Sequence, residues 1–161
     1  KIRKAGGSVS SKAFDVADHA ALAAFVRDTA AAKGRLDVIV NNAPSVTYAA
    51  MTDMTVETFR KDFHVNVDSA FVSSSEALKV MLPQKSGAIV NIASVNGLLA
   101  LYGMSAYSAA KAALIHLTRV TAMEGAACGV LGISGAAVTL GVAGRSTSTA
   151  SRATPRVPAG M

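Results

Sequence analysis

The chain has 161 residues, of which 51% are hydrophobic, with a formal net charge of +6 and a single cysteine, Cys128. This composition predicts one hydrophobic core and excludes a disordered chain, and no apolar run or leader pattern indicates a membrane span or a secretory signal. The lone cysteine excludes a disulfide framework and favours a cytoplasmic location, while the basic residues, spread from Lys1 to Arg156 without interleaved aromatics, argue against nucleic-acid binding.

The N-terminal quarter of the chain predicts a strand, a helix and a second strand. Residues 8–18, "SVSSKAFDVAD", indicate a modest strand that ends at Asp15. Asp18 is a suitable N-cap for the helix that follows, and Gly34 stands where a C-cap belongs. Residues 36–40, "LDVIV", then form a short apolar run before the turn-forming "NNAP", which predicts a buried strand and a loop.

The middle of the chain predicts two further helices with a strand between them. Thr55 can cap a long helix, which Pro83 should stop. Residues 87–94, "GAIVNIAS", repeat the strand pattern, and a third helix is predicted from Ser105 to about Glu124, closing at Gly125. Its apolar face is predicted to contain Leu114, Leu117 and Val120.

The order strand, helix, strand, helix, strand, helix predicts an α/β fold with a parallel sheet and helices on both faces. Residues 132–141, "GISGAAVTLG", indicate a weak last strand, and a polar, mobile tail follows. We therefore expect one domain over residues 1–140 and a tail over residues 141–161.

Polar residues stand at the predicted strand ends, where open parallel sheets bind ligands. They are Asp15, Asn41 with Asn42, and Ser94. Tyr107 and Lys111 are four residues apart and share a helix face. A nearby ammonium group lowers a tyrosine pKa by roughly 1–3 units, which would suit Tyr107 to acid/base chemistry, although such a pair taken alone is more often an ordinary exposed one.

The motifs "DVAD", "NNAP", "HVNV", "NIAS" and "YSAAK" occur in an order and at spacings that resemble the short-chain dehydrogenase/reductase family over roughly residues 1–128. The resemblance implies a partial Rossmann-like, doubly wound parallel sheet that lacks the first βαβ portion. It implies an oxidoreductase that interconverts a small-molecule alcohol and a ketone with NAD or NADP. A nicotinamide is needed because no protein side chain transfers a hydride.

The resemblance also implies catalytic roles for four residues. Tyr107 would be the catalytic acid/base, and Ser94 would orient the substrate oxygen. Lys111 would lower the pKa of the tyrosine and hold the nicotinamide ribose, and Asn66 would hold a water that continues the proton relay.

The cofactor would also contact the residues of two loops. Asp15 and Val16 match the pair near the adenine, and Asn42 with Ala43 match the loop that lines the cofactor, with Tyr107 and Lys111 completing the site. The family also implies homo-oligomers through the two long helices. We expect no metal site, because the histidines lack metal-ligand spacing; they are His19, His64 and His116.

The sequence departs from the family pattern in three places. The Gly-rich turn that receives the pyrophosphate is missing, and residues 129–135, "GVLGISG", lack its spacing. Pro44 replaces the usual glycine of the "NNAG" loop, and Leu140 replaces a proline near a C-terminus that is otherwise unrecognisable. The strand ending at Asp15 and the strand "LDVIV" must then pair directly or leave open edges.

These departures leave an alternative open. The chain would then be an N- and C-terminally incomplete, non-catalytic homologue that lacks the pyrophosphate turn and acts, if at all, through subunit association.

Overall fold

The computed structural model describes residues 1–126, 130–135 and 139–141. The helices are α1 (His19–Lys33), α2 (Val56–Phe63), α3 (Ser69–Gln84) and α4 (Ser105–Gly125), and the strands are β1 (Val38–Asn41), β2 (Gly87–Ile92), β3 (Val130–Gly135) and β4 (Thr139–Gly141). Within these ranges no helix has both the length and the apolar character needed to cross a bilayer. Cys128 and most of the predicted tail, residues 142–161, lie outside the described residues, so the division at residue 140 stays a prediction.

The described strands form one sheet in the order β1-β2-β3-β4. Strands β1, β2 and β3 run parallel, and β4 pairs antiparallel with β3. Three parallel strands joined through helices confirm the predicted α/β, partial Rossmann-like fold. The weak last strand predicted over residues 132–141 is instead two strands, β3 and β4.

Helices α3 and α4 cover one face of the sheet, and α1 packs against α3. Helix α3 contacts β1 and β2, α4 contacts β2 and β3, and α3 contacts both α1 and α4. On the opposite face Val38 and Val40 are 54% and 56% exposed. Right-handed crossovers that step across a sheet in one direction place their helices on the same side. Helices on the second face, which the alternating pattern predicts, are therefore not among the described residues.

The predicted strand ending at Asp15 is wrong. Residues 7–15 have no regular secondary structure and follow a short 3₁₀ turn, Arg3–Ala5, which ends at Gly6 with a φ of 81°. A strand forms only where a neighbour completes its hydrogen bonds, and within the described residues the only strand that pairs with β1 is β2. The edge of β1 is therefore open in this part of the chain.

Local capping signals place the helix ends correctly. The Asp18 carboxylate accepts a hydrogen bond from the Ala21 amide at 3.0 Å, and Gly34 ends α1 with a φ of 69°. The Thr55 hydroxyl accepts from the Thr58 amide at 3.2 Å at the start of α2. These contacts satisfy amides that have no partner within the first helical turn.

The second predicted helix contains a π turn that the sequence pattern does not show. Residues His64–Asp68 form this turn between α2 and α3. Pro83 does not stop α3 but lies in its last turn, and the helix ends at Gln84 before Lys85, whose φ is 55°. One inserted residue in a helix redirects the side chains around it, and such turns often occur at functional sites.

Helix α4 has the predicted bounds, but its buried face differs from the prediction. Leu114 is buried, whereas Val120 is 40% exposed. The buried positions recur at three- and four-residue intervals because that stripe faces β2, β3 and α2. They include Ala106, Ala110, Lys111, Leu114, Ile115, Thr118, Thr121 and Ala122.

The core lies where α3 packs on β1 and β2. Met81, Ala77 and Ile89 are fully buried at its centre. Partly buried apolar side chains surround them: Leu36, Ile39, Leu78 and Leu82. Burial of this cluster holds the ends of β1 and β2 under α3, which positions the loops that follow both strands.

A buried chain of side-chain hydrogen bonds crosses the sheet at the carboxyl ends of β1 and β2. Ser73 donates to the Asn41 oxygen at 2.6 Å, and Asn41 Nδ2 donates to the Asn91 oxygen at 2.8 Å. Asn91 Nδ2 donates to the Thr118 hydroxyl at 2.9 Å, which in turn donates to the Leu114 carbonyl at 2.7 Å. The chain thus links α3, both strands and α4 through satisfied polar groups.

We expect the free energy of unfolding of a Glu76→Gln variant to fall less than that of the parent chain as the pH is lowered. Glu76 accepts from Lys79 at 2.6 Å and pairs with Arg27 of α1 at 3.4 Å. The Lys79 hydrogen bond, with a smaller contribution from Arg27, holds the pKa of Glu76 below its ordinary value of 4.5. Because the folded-state pKa is depressed, this stabilisation is present above 4.5 and is lost as the pH falls through the lower, folded value.

The measurement is the free energy of unfolding by urea at several pH values between about 3 and 6. The parent chain should lose more stability over this interval than Glu76→Gln. Identical profiles would contradict the role given to Glu76.

Candidate active site

A cavity of about 250 Å³ lies at the carboxyl end of β1. Its walls come from α1, α3, α4 and the loop after β1. Predicted site residues in its lining are Val16, Asn42, Ala43, Asn66 and Lys111, and apolar residues in its lining include Phe14, Leu22, Phe25 and Val26. The structure therefore brings together five of the predicted catalytic and cofactor residues from four separate parts of the sequence, and Asn41 at the end of β1 also lines the cavity. Asp15, Ser94 and Tyr107 do not line this cavity.

Lys111 is the most deeply buried cation of the site. Its side chain is on α4, the residue is 3% exposed, and Nζ donates to the Ile92 carbonyl at 2.7 Å. Burial lowers the pKa of this ammonium group below its ordinary value of 10.5. Nζ also lies 5.6 Å from the centroid of the Tyr107 ring, one helical turn away. The tyrosine and lysine of "AYSAAK" are therefore close enough to interact electrostatically.

A close backbone approach places the loop after β2 against α4. A Cβ atom on Gly97 would lie 2.8 Å from the Lys111 carbonyl carbon and 3.0 Å from the Ala112 nitrogen. Because both neighbours are helix backbone, they cannot move aside as a flexible side chain would. Glycine at this position lets the segment after Ser94 pack directly beside Lys111.

Ser94 is half-buried two residues after the end of β2. Its hydroxyl accepts from the Asn96 amide at 3.2 Å and starts the short 3₁₀ turn Val95–Gly97. The described residues show no hydrogen bond between the hydroxyls of Ser94 and Tyr107. The structure places both residues on segments packed around Lys111 without joining them directly.

Asn66 lies in the π turn and is 2% exposed. Its Nδ2 donates to the Ser45 carbonyl and to the Asp62 carbonyl, both at 2.7 Å. Its Oδ1 is buried and has no hydrogen-bond partner among the described residues. An asparagine amide has two N–H donors, so both are used here and the oxygen is left as an acceptor for a ligand or a water.

Asp15 and Val16 lie in a turn that is attached to the π turn. The exposed Asp15 carboxylate accepts from the Ala17 amide at 2.9 Å, so it shapes the turn itself. The Val16 carbonyl accepts from the Ser69 hydroxyl at 2.9 Å, and an imidazole nitrogen of His64 lies 3.1 Å from the Ala17 carbonyl. These contacts hold Val16 in the cavity wall.

Sequence reasoning missed Asp62, which is 0% exposed. Its carboxylate accepts from the Ser45 hydroxyl at 2.7 Å, the Thr47 amide at 2.9 Å and the Thr47 hydroxyl at 3.1 Å. The available signal was an acid one helical turn before Asn66, on the same helix face. Residues 1–126, 130–135 and 139–141 contain no group of three potential acidic, histidine or cysteine metal ligands.

The residues of the cavity fit part of a nicotinamide dinucleotide. The Asn66 oxygen can accept from a hydroxyl, and an ammonium group such as that of Lys111 has three N–H donors, which suits ribose. The apolar wall suits a flat ring. Whole-ligand pockets have about 300–1,000 Å³, so this cavity of about 250 Å³ has room for only part of such a cofactor.

The chain is similar in sequence to known proteins. The family model "short chain dehydrogenase" matches residues 1–154. An acetoacetyl-CoA reductase from Acinetobacter sp. (strain RA3849) is 41% identical over 112 residues, which are 70% of this chain and 45% of the reductase. The "inactive 2-(S)-hydroxypropyl-CoM dehydrogenase 2" of Xanthobacter autotrophicus (strain ATCC BAA-1158 / Py2) is 43% identical over 110 residues, 68% of this chain and 48% of that protein.

The fold is also found in solved structures. The crystal structure of NAD⁺-bound xylitol dehydrogenase superposes with a TM-score of 0.78 at 28% identity, covering 82% of this chain and 51% of the other. The chain thus spans about half the length of the proteins it matches. Because the family model matches nearly the whole sequence and the fold and motifs agree, the chain belongs to the short chain dehydrogenase family.

Proposed function

We propose that the chain is an oxidoreductase that interconverts an alcohol and a ketone with NAD or NADP. The observation that carries the proposal is the buried Lys111 ammonium, which lines the cavity and lies 5.6 Å from the Tyr107 ring. The names of the relatives, a reductase and a dehydrogenase, support the reaction class. The NAD⁺ bound to xylitol dehydrogenase supports a nicotinamide cofactor.

In ketone reduction, Tyr107 would donate its hydroxyl proton to the carbonyl oxygen as that oxygen gains negative charge. The Lys111 ammonium would stabilise the negative charge left on the phenol oxygen. Ser94 would donate a hydrogen bond to the same substrate oxygen and fix its direction. The bound nicotinamide would supply the hydride to the carbonyl carbon. Alcohol oxidation would reverse these transfers.

Two further residues would support this step. Asn66 Oδ1 would accept from a water that returns a proton to Tyr107. Lys111, whose Nζ is fixed by the Ile92 carbonyl, would donate to the nicotinamide ribose. Val16, Asn42 and Ala43 would line the cofactor, and Asp15 would lie nearer its adenine end.

The test is a titration of the purified chain with NADH and with NADPH, followed by nicotinamide fluorescence. We expect saturable binding that a Tyr107→Phe, Lys111→Ala double variant weakens by about tenfold or more. Circular dichroism of both chains controls for folding. A folded parent chain that binds neither nucleotide would contradict the proposal.

A second candidate function is a non-catalytic homologue that acts through subunit association. The 43% identity to a relative named as inactive favours it. Val130–Gly135, the described part of "GVLGISG", is strand β3 rather than the start of a helix, so these residues supply no pyrophosphate turn. The same titration separates the two functions, since only the first predicts nucleotide binding.

We further propose that the protein is cytoplasmic, which the single cysteine supports.

We also propose that the protein forms a homo-oligomer through α3 and α4. Between these helices Phe71 is 57% exposed and Val120 is 40% exposed. A Phe71→Lys, Val120→Lys variant should shift the chain from dimer to monomer in sedimentation velocity, because burying two unpaired ammonium groups is unfavourable. An unchanged sedimentation profile would contradict this interface.

A further inference from the structure

Asp62 is a buried carboxylate that has no cationic partner among the described residues. It is 0% exposed, and none of the ion pairs among the described residues includes it. A carboxylate in such a place is tolerated only when hydrogen-bond donors replace its lost hydration. Those donors all come from one loop, namely the hydroxyl of Ser45 and the amide and hydroxyl of Thr47.

That loop continues directly from the cavity wall. Asn42 and Ala43 line the cavity, and Pro44, which has no backbone N–H, separates them from Ser45. Pro44 cannot donate a backbone hydrogen bond. The next residues of the loop that donate hydrogen bonds to the rest of the fold are Ser45 and Thr47. Both attach to Asp62.

The Asp62 side chain also holds, through Ser45, one of the two carbonyl acceptors that orient the Asn66 amide. Ser45 is held at two points, since its hydroxyl donates to Asp62 at 2.7 Å and its carbonyl accepts from Asn66 at 2.7 Å. The second hydrogen on Asn66 Nδ2 goes to the Asp62 backbone carbonyl. With two carbonyl acceptors on one side, the NH₂ group must face them, and the amide oxygen faces away.

We propose that Asp62 is a positioning residue: by holding Ser45 and Thr47, it fixes the Asn42–Ala43 wall of the cavity and aims the Asn66 oxygen. The effect on nucleotide binding rests on the proposed function, because it treats the cavity as the cofactor site. The effect on the loop itself does not depend on that function.

The primary test compares Asp62→Leu with Asp62→Asn by hydrogen exchange of the Thr47 amide, measured relative to the Ile89 amide of the core. Leucine has a similar size and no acceptor, so we expect exchange at Thr47 to rise about tenfold relative to Ile89. Asparagine keeps one acceptor oxygen and should restore part of the protection. Asp68→Asn is the matched control, because Asp68 is an exposed acid of the π turn that contacts His64 at 3.3 Å.

The second readout is the dissociation constant for NADH, which Asp62→Leu should raise about tenfold and Asp62→Asn by less. If Asp62 only stabilised the fold, Asp62→Leu would lower the melting temperature and leave the Thr47-to-Ile89 exchange ratio and the dissociation constant unchanged, which would overturn the proposal. If the parent chain binds no NADH, the proposed function fails, and the exchange ratio alone decides the role of Asp62.

A further variant covers the case in which Asp62→Leu does not fold. Ser45→Ala, Thr47→Val removes both hydroxyl donors and leaves the carboxylate in place. It should raise the exchange of the Thr47 amide in the same direction. Combined with Asp62→Asn it should produce less than the sum of the separate effects, because the three residues act through shared hydrogen bonds. Strictly additive effects would overturn the proposal.

Discussion

A Lys111→Met variant is expected to keep the unfolding free energy of the parent chain within about 1 kcal/mol at neutral pH and to bind NADH about tenfold more weakly or worse. Methionine has a similar length and needs no hydration, so it removes the desolvation penalty of a 3% exposed ammonium group. It also removes the hydrogen bond to the Ile92 carbonyl. These two effects on the free energy of unfolding oppose each other, so its net change is small. The cofactor loses its only expected ammonium partner, so its affinity falls.

The pH dependence provides a check on the cause. Burial depresses the folded-state pKa of Lys111 below its ordinary 10.5, so the unfolded chain binds the proton more tightly. The parent chain should therefore gain stability as the pH rises through the folded value toward 10.5, and Lys111→Met should lack this gain.

The measurements are urea unfolding at about pH 7 and about pH 9.5 and the NADH titration. Lys33→Met, at the exposed end of α1, is the control for loss of a positive charge. A large loss of stability in Lys111→Met, with NADH affinity unchanged, would show that Lys111 is a structural residue only.

An Asn91→Leu variant is expected to lower the free energy of unfolding by about 2–4 kcal/mol. Asn91 is 0% exposed, accepts from Asn41 and donates to Thr118. Leucine would leave the half-buried Asn41 amide and the buried Thr118 hydroxyl without these partners. A loss of this size is a large fraction of the roughly 5–15 kcal/mol that stabilises an ordinary domain.

Urea unfolding of a double-mutant cycle measures whether the network is the cause. Thr118→Val removes the hydroxyl that Asn91→Leu would leave without its donor, so the combined variant should lose less stability than the sum of the two single variants. Additive losses would mean that Asn91 contributes through packing alone. The cofactor titration should change little in any variant that remains folded, because Asn91 does not line the cavity.

Local signals predicted much of the fold. The caps at Asp18, Gly34 and Thr55 set helix ends correctly because each depends on contacts within one helical turn. The strand at residues 8–15 failed because an extended segment becomes a strand only when another strand pairs with it. The exposed position of Val120 was missed because burial on α4 depends on which neighbours pack against that helix.

The sequence motifs also predicted part of the candidate site. The motifs identified Asn66 and Lys111, and the structure places both in the lining of one cavity with Val16, Asn42 and Ala43. Their roles, and those of Ser94 and Tyr107, stay predictions.

By itself, the sequence determined the family, the alternation of helices and strands, and the residues expected to perform the chemistry, because these follow from local motifs and their order. Only the tertiary structure showed that the described residues give β1 no partner except β2, that the long helices pack on one face, that α2 and α3 are joined by a π turn and that the loop after β1 is attached to Asp62. The strand pairing, the helix packing and the loop attachment depend on contacts between residues that are distant in sequence. The π turn depends on an inserted backbone residue. Neither kind of feature produces a pattern that can be recognised in one sequence.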